Sequence, residues 1–240
     1  MFVFLDNQYH LLYSCSIMFP KKLEKYQVGK NVIFQLVKAK VTKKRIPARV
    51  FLQLTKFCNM RCKHCWVYQK DYQDEILKAK ELTTKEMIDL INLLYDHGTR
   101  WINFLGGEPL LRPDLGKIVD HARNKGIYCE TSTNGLLVDK KINELKRFHN
   151  VCVSIDGNRE SNDAIRGKGT FDKAIHAIET VLANKIPLRL HSVLSGYTVN
   201  ALDDMVKFFK NISLNSISPN VPSPTLKIVT ENCCLPTIKL

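Results

Sequence analysis

Three cysteines within eight residues constrain this chain more than any other feature. Leu52 to Trp66 reads LQLTKFCNMRCKHCW, with Cys58, Cys62 and Cys65 in the spacing C-x3-C-x2-C after an apolar, strand-like run that ends at Thr55. Three thiolates on one tight loop can each hold one iron of a [4Fe-4S] cube, which leaves the fourth iron without a ligand from that loop. An open iron is a place for chemistry, as an open position is on a catalytic zinc. Two other readings compete. A disulfide framework would leave one cysteine over and calls for secretion. A structural zinc needs a fourth ligand, which His64 or a distant cysteine would supply.

Around this loop the pattern alternates. Strand-like runs cover residues 50–55, 101–105, 127–131, 151–155, 188–193 and 213–217. Helical runs lie between them, over about 84–96, 113–126, 138–148, 171–184 and 198–210, with cap or stop signals at Thr83 or Thr84, Gly98, Pro113, Gly126, Thr170 and Thr198. Strand–helix alternation with short connections calls for parallel strands and right-handed crossovers. Before the first strand, Val32, Ile33, Leu36, Val37 and Val41 share one helical face, and an amphipathic helix packed through that face on the main domain is expected there until Pro47.

The composition is that of a globular chain: 240 residues, 45% hydrophobic and 25% charged, with no apolar run as long as a membrane span. The first nineteen residues are apolar but broken by Asp6, Gln8 and His10, and they lack the basic lead-in and small-residue cleavage site of a signal peptide. Met18 offers an alternative start. Eight cysteines without an export signal predict a cytoplasmic setting. The net charge of +13 is uneven: Lys21 to Arg45 holds nine Lys or Arg against one acid, Glu24. Without aromatic residues interleaved for base stacking, this reads as a solvated basic helix rather than a nucleic-acid surface.

Four further landmarks follow the cysteines: GGEP at Gly106 to Pro109, STNG at Ser132 to Gly135, SIDG at Ser154 to Gly157, and IRGKGTF at Ile165 to Phe171. With CNMRCKHC they resemble the radical SAM enzymes over about residues 49–218, most closely the branch that modifies peptides and matures cofactors or hemes. The resemblance implies an α/β fold, a partial (β/α)6 barrel of parallel strands over residues 49–218. Residues 1–48 precede it as an arm and basic amphipathic helix, and residues 219–240 follow as a short tail with Cys233 and Cys234. The cysteines, GGEP, STNG and SIDG each fall just after one of the first four strands, where α/β barrels place their chemistry.

The resemblance also implies cofactors and roles. Cys58, Cys62 and Cys65 would hold a [4Fe-4S] cluster, with Lys56 and Arg61 beside them favouring thiolates. His64 would contact the adenine of S-adenosylmethionine. Gly106, Gly107, Glu108 and Pro109 would take its methionyl ammonium, the glycines by letting the backbone approach closely. Thr133, Ser154 and Asp156 would bind ribose hydroxyls, and Arg166 the SAM carboxylate. Asn162 and Asp163 stand where the family often has a histidine. Cys129 and Cys152 read as small buried apolar residues, and His191 as a packed histidine or one facing the lumen. The implied reaction is reductive cleavage of SAM to a 5'-deoxyadenosyl radical that takes hydrogen from a peptide or small-molecule substrate, with electrons from a flavodoxin or ferredoxin. The alternative is a non-catalytic iron-sulfur or zinc-binding protein derived from the same family.

Overall fold

The computed structural model describes residues 23–43, 46–65, 80–193, 195, 198–201, 203–204 and 216–220. Six strands form one parallel sheet in chain order: β1 (Arg49–Gln53), β2 (Trp101–Leu105), β3 (Tyr128–Thr133), β4 (Asn150–Ser154), β5 (Leu188–Val193) and β6 (Ser216–Asn220). Helices α1 (Leu23–Thr42), α2 (Thr84–Asp96), α3 (Leu115–Asn124), α4 (Ile142–Leu145), α5 (Arg159–Arg166) and α6 (Thr170–Ala183) accompany it. The expected partial (β/α)6 barrel is present.

The period of two along each strand separates two environments. Val50, Leu52, Ile102, Phe104, Cys129, Val151, Val153, Leu188 and Leu190 point to the convex side and are at most 3% exposed. They pack on Met87 and Ile91 of α2, Ile118 and Val119 of α3, and Ala177 and Ile178 of α6. Full burial of such an aliphatic side chain contributes roughly 1.5–3 kcal/mol, so this layer carries most of the fold's stability. The alternate positions mix aromatic and aliphatic residues with a polar set: Arg49, Asn103, Glu130, Ser132, Cys152, Ser154, Arg189 and His191. Glu130 of β3 reaches Arg49 of β1 and Arg189 of β5, each two strands away, as the inside of a curved sheet allows.

Local chemistry sets the element ends. Thr83 and Glu86 form a reciprocal capping box that starts α2. Gly98 (φ 101°) and Gly126 (φ 75°) turn the chain out of α2 and α3 in a left-handed conformation that a Cβ would strain.

The sequence reading needs correction in several places. Helix α1 exists, but Ile33, Leu36, Val37 and Val41 are 45–76% exposed. The helix meets the barrel through its other side: Gln35 is buried with its Oε1 against the Gly98 turn, and Asn31 approaches Gly126. Glycine turns offer a polar backbone surface, which suits amides better than aliphatic side chains. Helix α5 was not expected, and the helix over 138–148 is a 3-10 turn (Asp139–Lys141) followed by the single turn of α4. The last strand begins three residues later than its apolar run. The expected helix over 198–210 falls mostly outside the described residues, as do Cys15, Met18, Cys233 and Cys234. Among the described residues, no helix is long and apolar enough to cross a membrane.

Candidate active site

The cysteine loop leaves the top of β1 and is fixed at both ends. At its start, Thr55 Oγ1 and the Lys56 N–H donate to Glu81 Oε1 at 2.7 and 2.8 Å. Arg112, 6% exposed, donates to the Leu54 and Leu82 carbonyls at 2.7 Å each and is paired with Asp114. At its far end, the Lys63 N–H donates to the Ile165 carbonyl at 3.0 Å, next to Arg166. In between, Arg61 donates to the Cys58 and Met60 carbonyls, and the Met60 N–H points at Cys58 Sγ at 3.4 Å.

Cys58, Cys62 and Cys65 are partly buried and in no disulfide, and Cys65 helps to raise the pKa of the other two. Burial is the larger influence, pushing Cys58 up and Cys62 to about 11. The cation opposing that shift on Cys62 is Arg166. Lys56 lies 5.6 Å over the Phe57 ring and Arg61 is turned to carbonyls. Among the described residues, no three His, Cys, Asp or Glu side chains converge to hold a single metal ion. Thiols that are near one another but do not meet at one point suit a cluster, where each binds a different iron, better than a tetrahedral zinc. The donor set therefore fits a [4Fe-4S] group with one iron left open.

The GGEP turn packs directly on this loop. The Gly107 N–H donates to the Thr55 carbonyl at 2.7 Å and the Glu108 N–H to the Phe57 carbonyl at 2.8 Å. A Cβ on Gly107 would sit 2.2 Å from the Phe57 oxygen, and one on Gly106 2.6 Å from the Thr55 oxygen. The close approach these glycines permit is to the cysteine loop itself. Pro109 is buried and opens the 3-10 turn that follows.

Glu108 is turned inward rather than offered to a ligand. It is 1% exposed, and its carboxylate accepts from Thr133 Oγ1 (2.9 Å), the Asn134 N–H (2.8 Å) and the Leu110 N–H (3.2 Å). Burial raises its pKa to about 7 against those three bonds. Thr133 is likewise 1% exposed, and its hydroxyl also accepts from the Gly135 N–H. This pair ties the end of β2 to the end of β3.

Asp156, Arg166 and His64 come together above β4 and β5. Asp156 is fully buried; its Oδ2 accepts from Arg166 Nε at 2.7 Å and its Oδ1 from the Val193 N–H at 2.7 Å. Both oxygens are thus engaged. Among the described residues, the Arg166 fork is hydrogen-bonded through Nε. His64 Nε2 lies 3.8 Å from Asp156 Oδ2, while His64 Nδ1 is buried without a partner. Burial lowers the His64 pKa, so the ring is neutral near pH 7. Ser154 ends β4 opposite His191 of β5, and both face the lumen.

Several positioning residues escaped the sequence reading. Asn134 donates to Asn59 Oδ1 at 2.7 Å and points the same amide at Cys58 Sγ, 3.8 Å away. It stands inside the STNG landmark, so its motif was visible but its partner was not. Asn162, fully buried, accepts from the Asp156 N–H, and Asp163 accepts from the Gly169 and Phe171 N–H groups. Glu81 and Arg112 carried no signal beyond ordinary charge.

A family model described as the Radical SAM superfamily matches residues 52–209. The chain belongs to the radical SAM superfamily. It is 38% identical over 155 residues to an Fe-coproporphyrin III synthase of Methanosarcina barkeri, covering 62% of this chain and 38% of that protein. It is 32% identical over 157 residues to a mycofactocin maturase of Mycolicibacterium smegmatis, covering 63% of this chain and 39% of that one. The chain thus spans about two fifths of these curated relatives. Streptococcus suis SuiB bound to S-adenosylmethionine superposes with a TM-score of 0.68 at 15% identity, covering 90% of this chain and 50% of that one. The AdoMet-bound anSMEcpe with the Cp18Cys peptide gives 0.63 at 20%, covering 78% and 55%. Both share the fold.

Proposed function

We propose that this chain cleaves S-adenosylmethionine reductively and directs the resulting radical to a peptide or cofactor-precursor substrate. The observation that carries this reading is the cysteine loop: three separate thiols, pinned at one end to the Glu81 and Arg112 braces and at the other to the helix that ends in Arg166. A cluster held by Cys58, Cys62 and Cys65 would supply the electron that breaks a C–S bond of SAM.

The protein's part is to hold and orient. The two Nη groups of Arg166 suit the SAM carboxylate, and Asp156 fixes the guanidinium by its Nε. His64, neutral and with a buried unpartnered Nδ1, suits the adenine. Ser154 suits a ribose hydroxyl. The backbone of Gly106 to Pro109, held against the cysteine loop, suits the ammonium. Thr133 and Glu108 act as braces in this reading, because their polar atoms are already bonded to one another. A flavodoxin or ferredoxin would deliver electrons. A peptide substrate is favoured by SuiB, solved with the precursor peptide SuiA, and a cofactor precursor by the relatives named as heme and mycofactocin enzymes.

Anaerobic reconstitution followed by iron, sulfide and methionine analysis tests the proposal. About four irons and four sulfides per chain are expected, with methionine released from SAM under dithionite. One zinc without sulfide would favour the non-catalytic alternative.

A further inference from the structure

The concave side of the sheet carries groups that the SAM site does not use. Glu130, midway along β3 and 4% exposed, accepts from Arg49 Nη2 of β1 and Asn103 Nδ2 of β2 at 3.0 Å each through Oε1. Its Oε2 lies 3.6 Å from Arg189 Nη1 of β5, beyond hydrogen-bonding distance. Among the described residues, two guanidiniums therefore face one carboxylate, which leaves a net positive charge on this floor.

Unpartnered atoms gather at the same place. Arg189 Nε, Asn103 Oδ1, Glu130 Oε2 and Trp101 Nε1 are buried without a hydrogen bond, and so is His191 Nε2, two residues up β5 from Arg189. A buried orphan of this kind costs about 1–3 kcal/mol, and native proteins carry only a few per 100 residues. Five on the inward positions of β2, β3 and β5 mark a place built for a polar ligand. The floor is also continuous with the SAM site. Cys152, expected to be a plain apolar residue, lies on this inner face, hydrogen-bonded to Ser132 and within electrostatic reach of Arg189 and Glu130 on one side and Arg166 on the other.

We propose that this floor recognises a carboxylate group of the substrate, taken by the Nε edge of Arg189, with Glu130 and Arg49 as the residues that position that guanidinium. The net charge selects an anion, and the planar fork selects one with two coplanar oxygens. His191 Nε2, in the tautomer that carries its proton there, adds a hydrogen bond to the carboxylate, and Asn103 Oδ1 accepts from a donor beside it. The proposal rests on the reading of the same lumen as a radical SAM substrate chamber.

The test uses the full reconstituted chain with SAM present, and propionate and propionamide as probes, each followed by ligand-observed NMR. Saturable propionate binding, little or no propionamide binding, and at least tenfold weaker propionate binding in Arg189→Gln are expected. Equal binding of the two probes, or unchanged propionate affinity in Arg189→Gln, would overturn the proposal. Should Arg189→Gln fail to fold by circular dichroism, Arg189→Lys decides. That variant keeps the charge and loses the fork, so weaker propionate binding supports the site and unchanged binding overturns it. The binding readout needs neither reductant nor turnover. Arg189-dependent propionate binding in a protein that never cleaves SAM would support the carboxylate site while removing the proposed reaction.

Discussion

Arg166 Nε donates to Asp156 Oδ2 at 2.7 Å, and the two side chains are 9% and 0% exposed. This pair joins the end of α5 to the top of β4, and Asp156 extends it to β5 through the Val193 N–H. Removing one partner leaves an uncompensated charge in a buried place, a loss of about 3–5 kcal/mol. Arg166→Ala is expected to lower the denaturant midpoint and to abolish measurable SAM binding. Asp156→Asn should lower the midpoint too and weaken SAM binding through the displaced guanidinium. SAM binding by calorimetry, unchanged in both variants, would show that the pair is purely structural.

Gly107 is where the two halves of the site touch. Its missing Cβ leaves room for the Phe57 carbonyl, which would otherwise lie 2.2 Å away, with Cys58 Cβ at 2.9 Å. Both neighbours are anchored, so Gly107→Ala should push the cysteine loop outward, at about 1–3 kcal/mol as for other overpacked sites. Iron and sulfide per chain after reconstitution should fall well below wild type. Full cluster loading in Gly107→Ala would mean that the loop moves freely.

The Asn134 amide, 3.8 Å from Cys58 Sγ, gives a separate electronic prediction. Hydrogen bonds to ligand sulfurs help set cluster potentials. They draw charge from the thiolate and make reduction easier. Asn134→Ala is expected to keep the visible absorption of the cluster and to shift its midpoint potential downward in a spectroscopic redox titration. An unchanged potential would remove Asn134 from the cluster's surroundings.

The parts of the fold legible in the sequence were those with a strong period. Strands β1 to β5 read clearly because their convex residues are mostly apolar and bounded by Gly, Pro and Thr signals. Helix α5 did not. Its sequence RESNDAIR has almost no apolar stripe, and it buries Asn162 and Ile165 alone. It forms because Asn158 caps it and Asn162 bonds the Asp156 backbone. The face of α1 was misjudged for a related reason: periodicity marks an apolar stripe but not whether another surface meets it. At the site, the motifs gave the positions of Cys58, Gly107 and Arg166. They did not give the partners: the Glu108 carboxylate and the Thr133 hydroxyl bond each other.

His191 supplies a pH test independent of the cluster. Burial, with Arg166 next in effect, pushes its pKa down to about 4, against about 6.5 for an unfolded histidine. Below pH 6.5 the unfolded chain takes this proton and the folded chain does not, so stability is lost as pH falls from about 6.5 to about 4. The full shift corresponds to about 3 kcal/mol. His191→Asn should flatten that part of the stability profile relative to wild type, measured by urea denaturation at pH 4.5 and 7. Parallel profiles would place His191 in contact with water.

Formation of 5'-deoxyadenosine tests the assignment of the three cysteines to a radical SAM centre most directly. The assay is run in an oxygen-free chamber with reconstituted protein, SAM and dithionite, on wild type, Cys62→Ala and Cys129→Ala. Cys129 lies in the apolar core on the convex side of β3 and serves as the control. Wild type and Cys129→Ala should form deoxyadenosine slowly without any added substrate, and Cys62→Ala none. Deoxyadenosine from Cys62→Ala at the wild-type rate, or none from a wild-type protein with full iron and sulfide, would contradict it.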